Sequence, residues 1–139
     1  MDLDFEQFFR EYARWYMAGD AEAVATDQYA APFLAVREGR AIALPDRSAV
    51  IEHLAGLMAA YRQAGATAAE IVELDVQAQG DAAALVTVHW NVRGADGQLV
   101  RDFRTSYQLV GRPAPRVVSY VNHDVVGGPT ASADRDGSV

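Results

Sequence analysis

Three histidines, one aspartate beside the last of them, and an aromatic run near the start are the parts of this chain whose types and spacing could do chemistry. His123 and Asp124 adjoin each other in RVVSYVNHDVV, and a carboxylate near an imidazole can set its tautomer and raise its pKa for proton transfer. Adjacent strand residues point to opposite faces, so only one of the two can enter a cavity unless a bulge intervenes. Tyr12, Trp15 and Tyr16 in EYARWYMAGD bring hydroxyl and indole donors that find polar partners when buried. His53 sits towards the polar side of a helical pattern and reads as surface. His89 alternates with Thr87 and Asn91, opposite Trp90, and reads as facing solvent or a second subunit. Three scattered histidines with no cysteine match no metal-ligand spacing, so neither a metal nor a cofactor is expected. Phosphate-loop and nucleophile-elbow patterns are missing from the sequence.

The element that must position these groups is a long hairpin over 84–110. Its first arm alternates Val86, Val88, Trp90 and Val92 with Thr87, His89, Asn91 and Arg93, the period of a half-buried strand. Gly94 and Asp96-Gly97 supply the turn, with the positive φ that a tight reversal needs. The second arm places Phe103, Thr105, Tyr107 and Leu109 on one face and Asp102, Arg104, Ser106 and Gln108 on the other. A polar Thr105 inside an apolar stripe marks a candidate site position. Residues 69–79 and 116–126 read as the flanking strands.

Helices precede and interrupt this sheet. Phe5, Phe8, Phe9, Tyr12, Trp15 and Tyr16 recur at spacings of three and four, an amphipathic helix over 4–18. Gly19 suits its C-terminal cap and Asp20 the N-cap of a short second helix over 21–28. Pro32 stops that helix, and two short strands over 33–38 and 40–44 bend around Gly39. Asp46 or Ser48 then caps a third helix, buried through Val50, Ile51, Leu54, Leu57, Met58 and Tyr61 and ending near Gly65. The expected fold is α+β: a curved antiparallel sheet wrapped around the N-terminal helix, with three helices on its concave face. Such a cone leaves a cavity wherever side chains do not meet in the middle. One domain over 1–126 is expected, followed by a disordered tail over 127–139 rich in Gly, Pro and small polar residues.

Composition narrows the partners. A chain of 139 residues is one domain by length. Its net charge of -7 argues against nucleic acid and acidic membranes, which need a clustered positive field. No apolar run approaches the length of a membrane span, the N-terminus lacks a signal-peptide pattern, and no cysteine is present, so a cytoplasmic protein is expected.

The element order, the corner YMAGD-AEAV, the reversal after Pro32 and the sheet-final VVSYVNHD resemble the nuclear transport factor 2-like superfamily, over about residues 4–126. That superfamily includes ketosteroid isomerases, SnoaL-like polyketide cyclases, scytalone dehydratases and members that only bind or scaffold. A ketosteroid isomerase uses an Asp base with a Tyr and a protonated Asp as oxyanion donors. Aligning the AGD corners implies that Tyr12 takes the oxyanion Tyr position. The base's place falls in FLAVREG, on Val36 or Arg37, or on Glu38 with a gap, and the second acid's place falls near Thr105. One position in three matches, so the resemblance does not extend to that activity. Matching the last strand implies that Tyr120, Asn122 and Asp124 face the concave side, with His123 outward.

Two functional readings follow. In the first, a small apolar or aromatic molecule binds in the cone. Tyr12, Tyr16, Trp15, Trp90, Phe103, Thr105, Tyr107, Tyr120 and Asn122 line the cavity, with His123 or Asp124 at its mouth. If the protein is an enzyme, the reaction is cofactor-free isomerisation, cyclisation or dehydration, with Asp124 moving the proton and Tyr12 stabilising negative charge. In the second, the cavity is filled and the protein is a scaffold or accessory subunit, dimerising through the convex sheet face.

Overall fold

A computed structural model describes residues 3–126; the tail expected over 127–139 lies outside the described residues. The chain forms α1 (Phe5–Ala18), α2 (Ala21–Asp27), β1 (Tyr29–Arg37), β2 (Arg40–Leu44), α3 (Arg47–Gln63), β3 (Ala66–Ala78), β4 (Ala83–Gly94), β5 (Leu99–Val110) and β6 (Arg116–Val126). Local chemistry sets the helix boundaries. The carboxylates of Asp4, Asp20 and Asp46 accept from the backbone N–H groups of Gln7, Ala23 and Ala49, one N-cap for each helix. Gly19, at φ 75, closes α1 in the left-handed conformation and turns the chain directly into α2.

The six strands make one curved, open sheet in the order β2-β1-β6-β5-β4-β3. β3 to β6 form the expected antiparallel meander. The sheet as a whole is mixed, because β1 lies parallel to β6. The chain leaves the β1–β2 hairpin through α3, starts β3 at the far edge and works back, so β6 reaches β1 in the same direction. β1 is also longer than expected. It begins at Tyr29 and carries exposed Pro32 where its register with β6 shifts, a break in the ladder that tolerates a residue without an N–H. In the β4–β5 turn only Gly97 takes positive φ. At Gly94, where φ is not positive, a Cβ would meet only the movable end of the exposed Gln98 side chain.

The apolar stripes of the helices and the inner faces of β1 and β4 to β6 close one core, with Phe9, Val24, Leu54, Val86, Val88 and Leu109 fully buried. Each such side chain contributes about 1.5–3 kcal/mol relative to exposure. α1 packs over β3 and meets both other helices, so its aromatic stripe runs into the cone. Among the described residues no helix is long and apolar enough to cross a membrane.

Candidate functional site

The alternation of β4, β5 and β6 sends Trp90, Phe103, Thr105, Tyr107, Tyr120 and Asn122 into the cone, and all six are buried. The narrow end is solid. The Phe9 ring lies 4.6 Å from that of Tyr107, the indole Nε1 of Trp90 donates to the Tyr107 hydroxyl at 3.0 Å, and the hydroxyls of Tyr12 and Tyr29 share a hydrogen bond of 3.1 Å. Burial pushes the hydroxyls of Tyr12, Tyr29 and Tyr107 well above the ordinary tyrosine range. These are neutral hydrogen-bonding groups across the range in which proteins work.

Towards the wide end a cavity of about 40 Å³ remains, enough for about three waters at ~10–15 Å³ each. The helices contribute Tyr12, Ala13, Tyr16 and Met17 from α1 and Leu57 and Tyr61 from α3, facing Trp90, Phe103 and Tyr107 across the gap. Half-buried Tyr16, Met17 and Ala69 stand at its rim. Trp15, expected with them, is not part of this lining. It lies half-buried against the margin of the core, a face of α1 away from the gap.

Polar groups gather on one side of the cavity, where β1, β6 and β5 run side by side. Register places Arg37, Asn122 and Thr105 in one row across the three strands. The Asn122 Nδ2 donates to Thr105 Oγ1 at 3.0 Å, and its Oδ1 accepts from the Arg101 guanidinium at 3.2 Å. Arg101, only 1% exposed, also donates to the Tyr61 hydroxyl at 3.1 Å and lies over the Phe103 ring, 4.9 Å from its centroid. Arg37 is 7% exposed and engages the Tyr120 hydroxyl. Burial opposes its charge, and the tyrosine oxygens around it, Tyr120 foremost, more than offset that penalty. Tyr120 contacts His53 on its other side, with 2.7 Å between Oη and Nε2. Burial, helped by the nearby Arg37 charge, lowers the His53 pKa to about 4, so the ring is neutral near pH 7. Guanidinium can only donate and neutral imidazole can accept, so we assign the order Arg37 to Tyr120 oxygen, then Tyr120 O–H to His53.

The sequence reading missed Arg37, Arg101 and His53 as site residues. For Arg101 a signal existed: it continues the alternation of Phe103 and Thr105 by one step and therefore faces inward. Arg37 falls at the place of the isomerase base in FLAVREG, and its type gives no sign of burial. His53 lies at the border of its helix stripe, where periodicity does not decide.

Asp124 is a correction. Arg104 pairs with His123 but Asp102 pairs with Val126, so β6 holds one extra residue there. Asp124 takes φ 52 at this bulge, and the partly buried side chain after Asn122 that packs against the core is Val125. The Asp124 side chain is 63% exposed and accepts from His123 Nδ1 at 2.8 Å; His123 Nε2 meets Ser106 Oγ at 3.0 Å on the convex side. Neither His123 nor Asp124 reaches the cavity. The order Ser106, His123, Asp124 matches that of a hydrolytic triad. Ser106, however, lies mid-strand and is paired on both sides, so its neighbouring N–H groups belong to ladders rather than to an oxyanion hole. Further polar contacts on the convex face include Thr87 Oγ1 to Ser106 Oγ at 2.8 Å and His89 Nε2 to Asp102 Oδ1 at 2.8 Å. His89 faces outward as expected. Among the described residues no group of three or more His, Asp or Glu side chains is arranged to hold a metal ion.

The fold has many counterparts. The structure of an NTF2-like protein with a cystatin-like fold from Novosphingobium aromaticivorans superposes with a TM-score of 0.69 at 20% identity, covering 94% of this chain and 86% of that one. Aln2 from a Streptomyces species gives 0.66 at 18% identity, over 86% of this chain and 87% of that one. An NTF-2 like protein of unknown function from Shewanella oneidensis gives 0.66 at 12% identity, over 87% and 97%. At these identities the likeness establishes the fold alone. No curated protein matches the sequence. A family model described as NTF2-like protein (DUF6841) matches residues 3–125, and to that family this chain belongs.

Proposed function

We propose that the protein binds a small aromatic or apolar molecule at the wide end of the cone and that Tyr120 is its proton-handling group. The observation that carries this reading is the composition of the cavity wall: aromatic rings on most sides, with Arg37, Thr105, Tyr120 and Asn122 brought to one side by adjacent strands. A mostly apolar pocket with a few convergent polar groups is the usual form of a small-molecule site. The volume of about 40 Å³ is below the roughly 150 Å³ that holds a benzene ring in an engineered cavity. Entry therefore requires Met17 and Tyr16 to swing at the rim, and methionine's three rotatable bonds make that movement inexpensive. Tyr120, between a cation and a neutral imidazole, is placed to take a proton from the bound molecule as its own O–H proton passes to His53 Nε2, and to return it as His53 gives that proton back. Cofactor-free isomerisation, cyclisation or dehydration needs such a group. This role replaces the one expected of Asp124; Tyr12, held by Tyr29 at the packed end, supports the wall. Thermal-shift screening of a small aromatic library tests the binding: one class should raise Tm by mass action, and Trp90→Ala or Leu57→Trp should alter the selection. A flat response across the library sinks the proposal.

The convex face supports a second reading, association of two copies through β4 to β6. Among the described residues no helix covers it, and Leu34 and Val121, 41% and 40% exposed, border the polar network of Ser106 and His123. Arg104 stands at the centre of the strands, so Arg104→Glu should lower a concentration-dependent mass in sedimentation. A monomer mass at every concentration removes this reading.

A further inference from the structure

The convex face of the sheet holds a second constellation that owes nothing to the cavity. We infer that Ser106 is an activated nucleophile that takes an acyl group from an activated ester, with His123 as its base and Arg104 as the cation that meets the developing oxyanion.

The hydrogen-bond directions follow from the groups themselves. The Asp124 carboxylate only accepts, so its 2.8 Å contact places a proton on His123 Nδ1. In the neutral ring Nε2 is then the acceptor, and the Ser106 hydroxyl, 3.0 Å away, donates to it. That leaves Thr87 as the donor in its 2.8 Å contact with Ser106 Oγ. Thr87 stands on β4 and His123 on β6, one on each flank of β5. The two engage the serine proton and one lone pair, and the second lone pair is left for an electrophile that arrives from solvent. Ser106 is half-buried, and the His123 side chain is 34% exposed.

A regular strand would point His123 and Asp124 to opposite faces. The β6 bulge, with Asp124 at φ 52, lets the two neighbours bond to each other and so fixes the ring that faces Ser106. Bulges re-aim side chains in this way beside active sites. What the paired ladder withholds is an oxyanion hole, and Arg104 supplies a substitute. It stands in register between His89 and His123 and two residues from Ser106 on the same face, roughly 7 Å along the strand, within reach of a long side chain. The nearby carboxylates are engaged elsewhere, Asp102 with His89 and Asp124 with His123. Among the described residues Arg104 itself makes no hydrogen bond or ion pair.

The substrate class is an ester with a phenol or thiol leaving group. Ser106 Oγ bonds to the carbonyl carbon as its proton passes to His123 Nε2, and the carbonyl oxygen becomes an oxyanion beside Arg104. Collapse of that intermediate breaks the bond to the leaving oxygen or sulfur, which departs with the proton from His123. The products are an acylated serine and a free phenol or thiol. Release of the acyl group to water has a serine alkoxide as its leaving group, a poorer one, so the acyl form accumulates.

The test uses p-nitrophenyl acetate on the full chain, dilute enough that association through this face does not cover Ser106. Nitrophenol should appear in a burst of about one equivalent, and peptide mass spectrometry should place the acetyl group on Ser106. Ser106→Ala should remove the burst. His123→Gln should slow it about 100-fold, and Arg104→Gln about tenfold, less than the loss of a buried oxyanion donor because water reaches this face. Asp124→Ala should slow it as well. Asp124→Asn, whose amide oxygen still accepts from Nδ1, should recover most of the rate, a graded response that the loss of a surface contact alone would not give. Should a variant fail to fold, the acetylated position on the unaltered protein still decides. No burst, an equal burst from Ser106→Ala, or acetyl mapped to another residue would overturn the inference, and each of these would leave the reading of the cavity, on the opposite face, untouched.

Discussion

Ser106 and Tyr107 are neighbours in the chain and sit in different media. Tyr107 is 2% exposed, holds the Trp90 indole and packs on Phe9; Ser106, on the other side of the sheet, bonds to Thr87 and His123 among half-exposed polar groups. One strand thus builds both candidate functional surfaces. On the inner face a hydrogen bond has no solvent to replace it, so each group depends on its partner. On the outer face water substitutes for any partner that is lost. Inner positions should therefore respond strongly to single changes and outer ones hardly at all, and five substitutions grade that contrast.

Trp90→Ala should have the largest effect. It empties the centre of the inner wall, and large-to-small changes of this kind cost about 3–5 kcal/mol in buried cores. Urea denaturation should show a loss in that range, against total stabilities of about 5–15 kcal/mol for ordinary domains. A loss under about 1.5 kcal/mol would mean that the wall collapses easily, and the inner face would not be the rigid partner in the comparison. Next comes the adjacent pair itself. Tyr107→Phe removes the partner of the buried Trp90 N–H and should cost about 1–3 kcal/mol, whereas Ser106→Ala should stay within about 0.5 kcal/mol. Equal costs would break the contrast outright.

How far this contrast could be read from the amino-acid order depends on the strand. In β4 and β5 the alternation is strict and both neighbours pair in continuous register over the centre, so Trp90, Phe103, Thr105 and Tyr107 fall inward as their spacing implies. β6 carries its bulge in its last turns of alternation. Tyr120 and Asn122 obey the period, and Asp124 does not, because one extra residue moves everything after it to the other face. A bulge of this kind leaves no compositional mark; nothing in VNHDVV distinguishes it from a regular strand. The polar side of the pocket was hidden for a different reason. Arg37 and His53 belong to residue types that usually face water; a parallel contact between β1 and β6, segments some 85 positions apart, sets Arg37 beside Tyr120 and Asn122, and Tyr120 in turn meets His53. The helix caps, by contrast, are local chemistry: Asp20 was legible for that reason, and Asp46 as one of two candidates.

His53 lies on the boundary between the two media and gives the third test. Its folded pKa of about 4 lies below the ordinary 6.5, so between those values the unfolded chain binds more protons. Its contribution to stability is whole above about pH 6.5 and falls away as the pH drops towards 4. The full shift would correspond to roughly 3 kcal/mol, but part of the ring meets solvent, and screening there reduces the expected loss to about 1–2 kcal/mol. Arg37 and Tyr120 are the groups that face it and keep their charge states across this window. The measurement is the difference in stability between the unaltered protein and His53→Asn from pH 4 to 7, which cancels the titrations of His89 and His123 on the outer face. A difference that does not change with pH would place His53 among the solvated groups.

Asp124→Asn should have the smallest effect, and it is the substitution that would most damage the picture if it did not. Asparagine tolerates the left-handed backbone that Asp124 adopts at φ 52, so the bulge is kept. Its amide oxygen can still accept from His123 Nδ1, so the outer network is kept too. Only the charge is removed, at a side chain 63% exposed on the far side of the sheet from the cavity. Stability should change by less than about 0.5 kcal/mol, and any ligand that raises Tm should raise it equally in the variant. If the variant instead lost ligand binding while keeping its fold, the carboxylate would have to reach the cone through a rearranged β6, and the assignment of proton handling to Tyr120 would give way to Asp124.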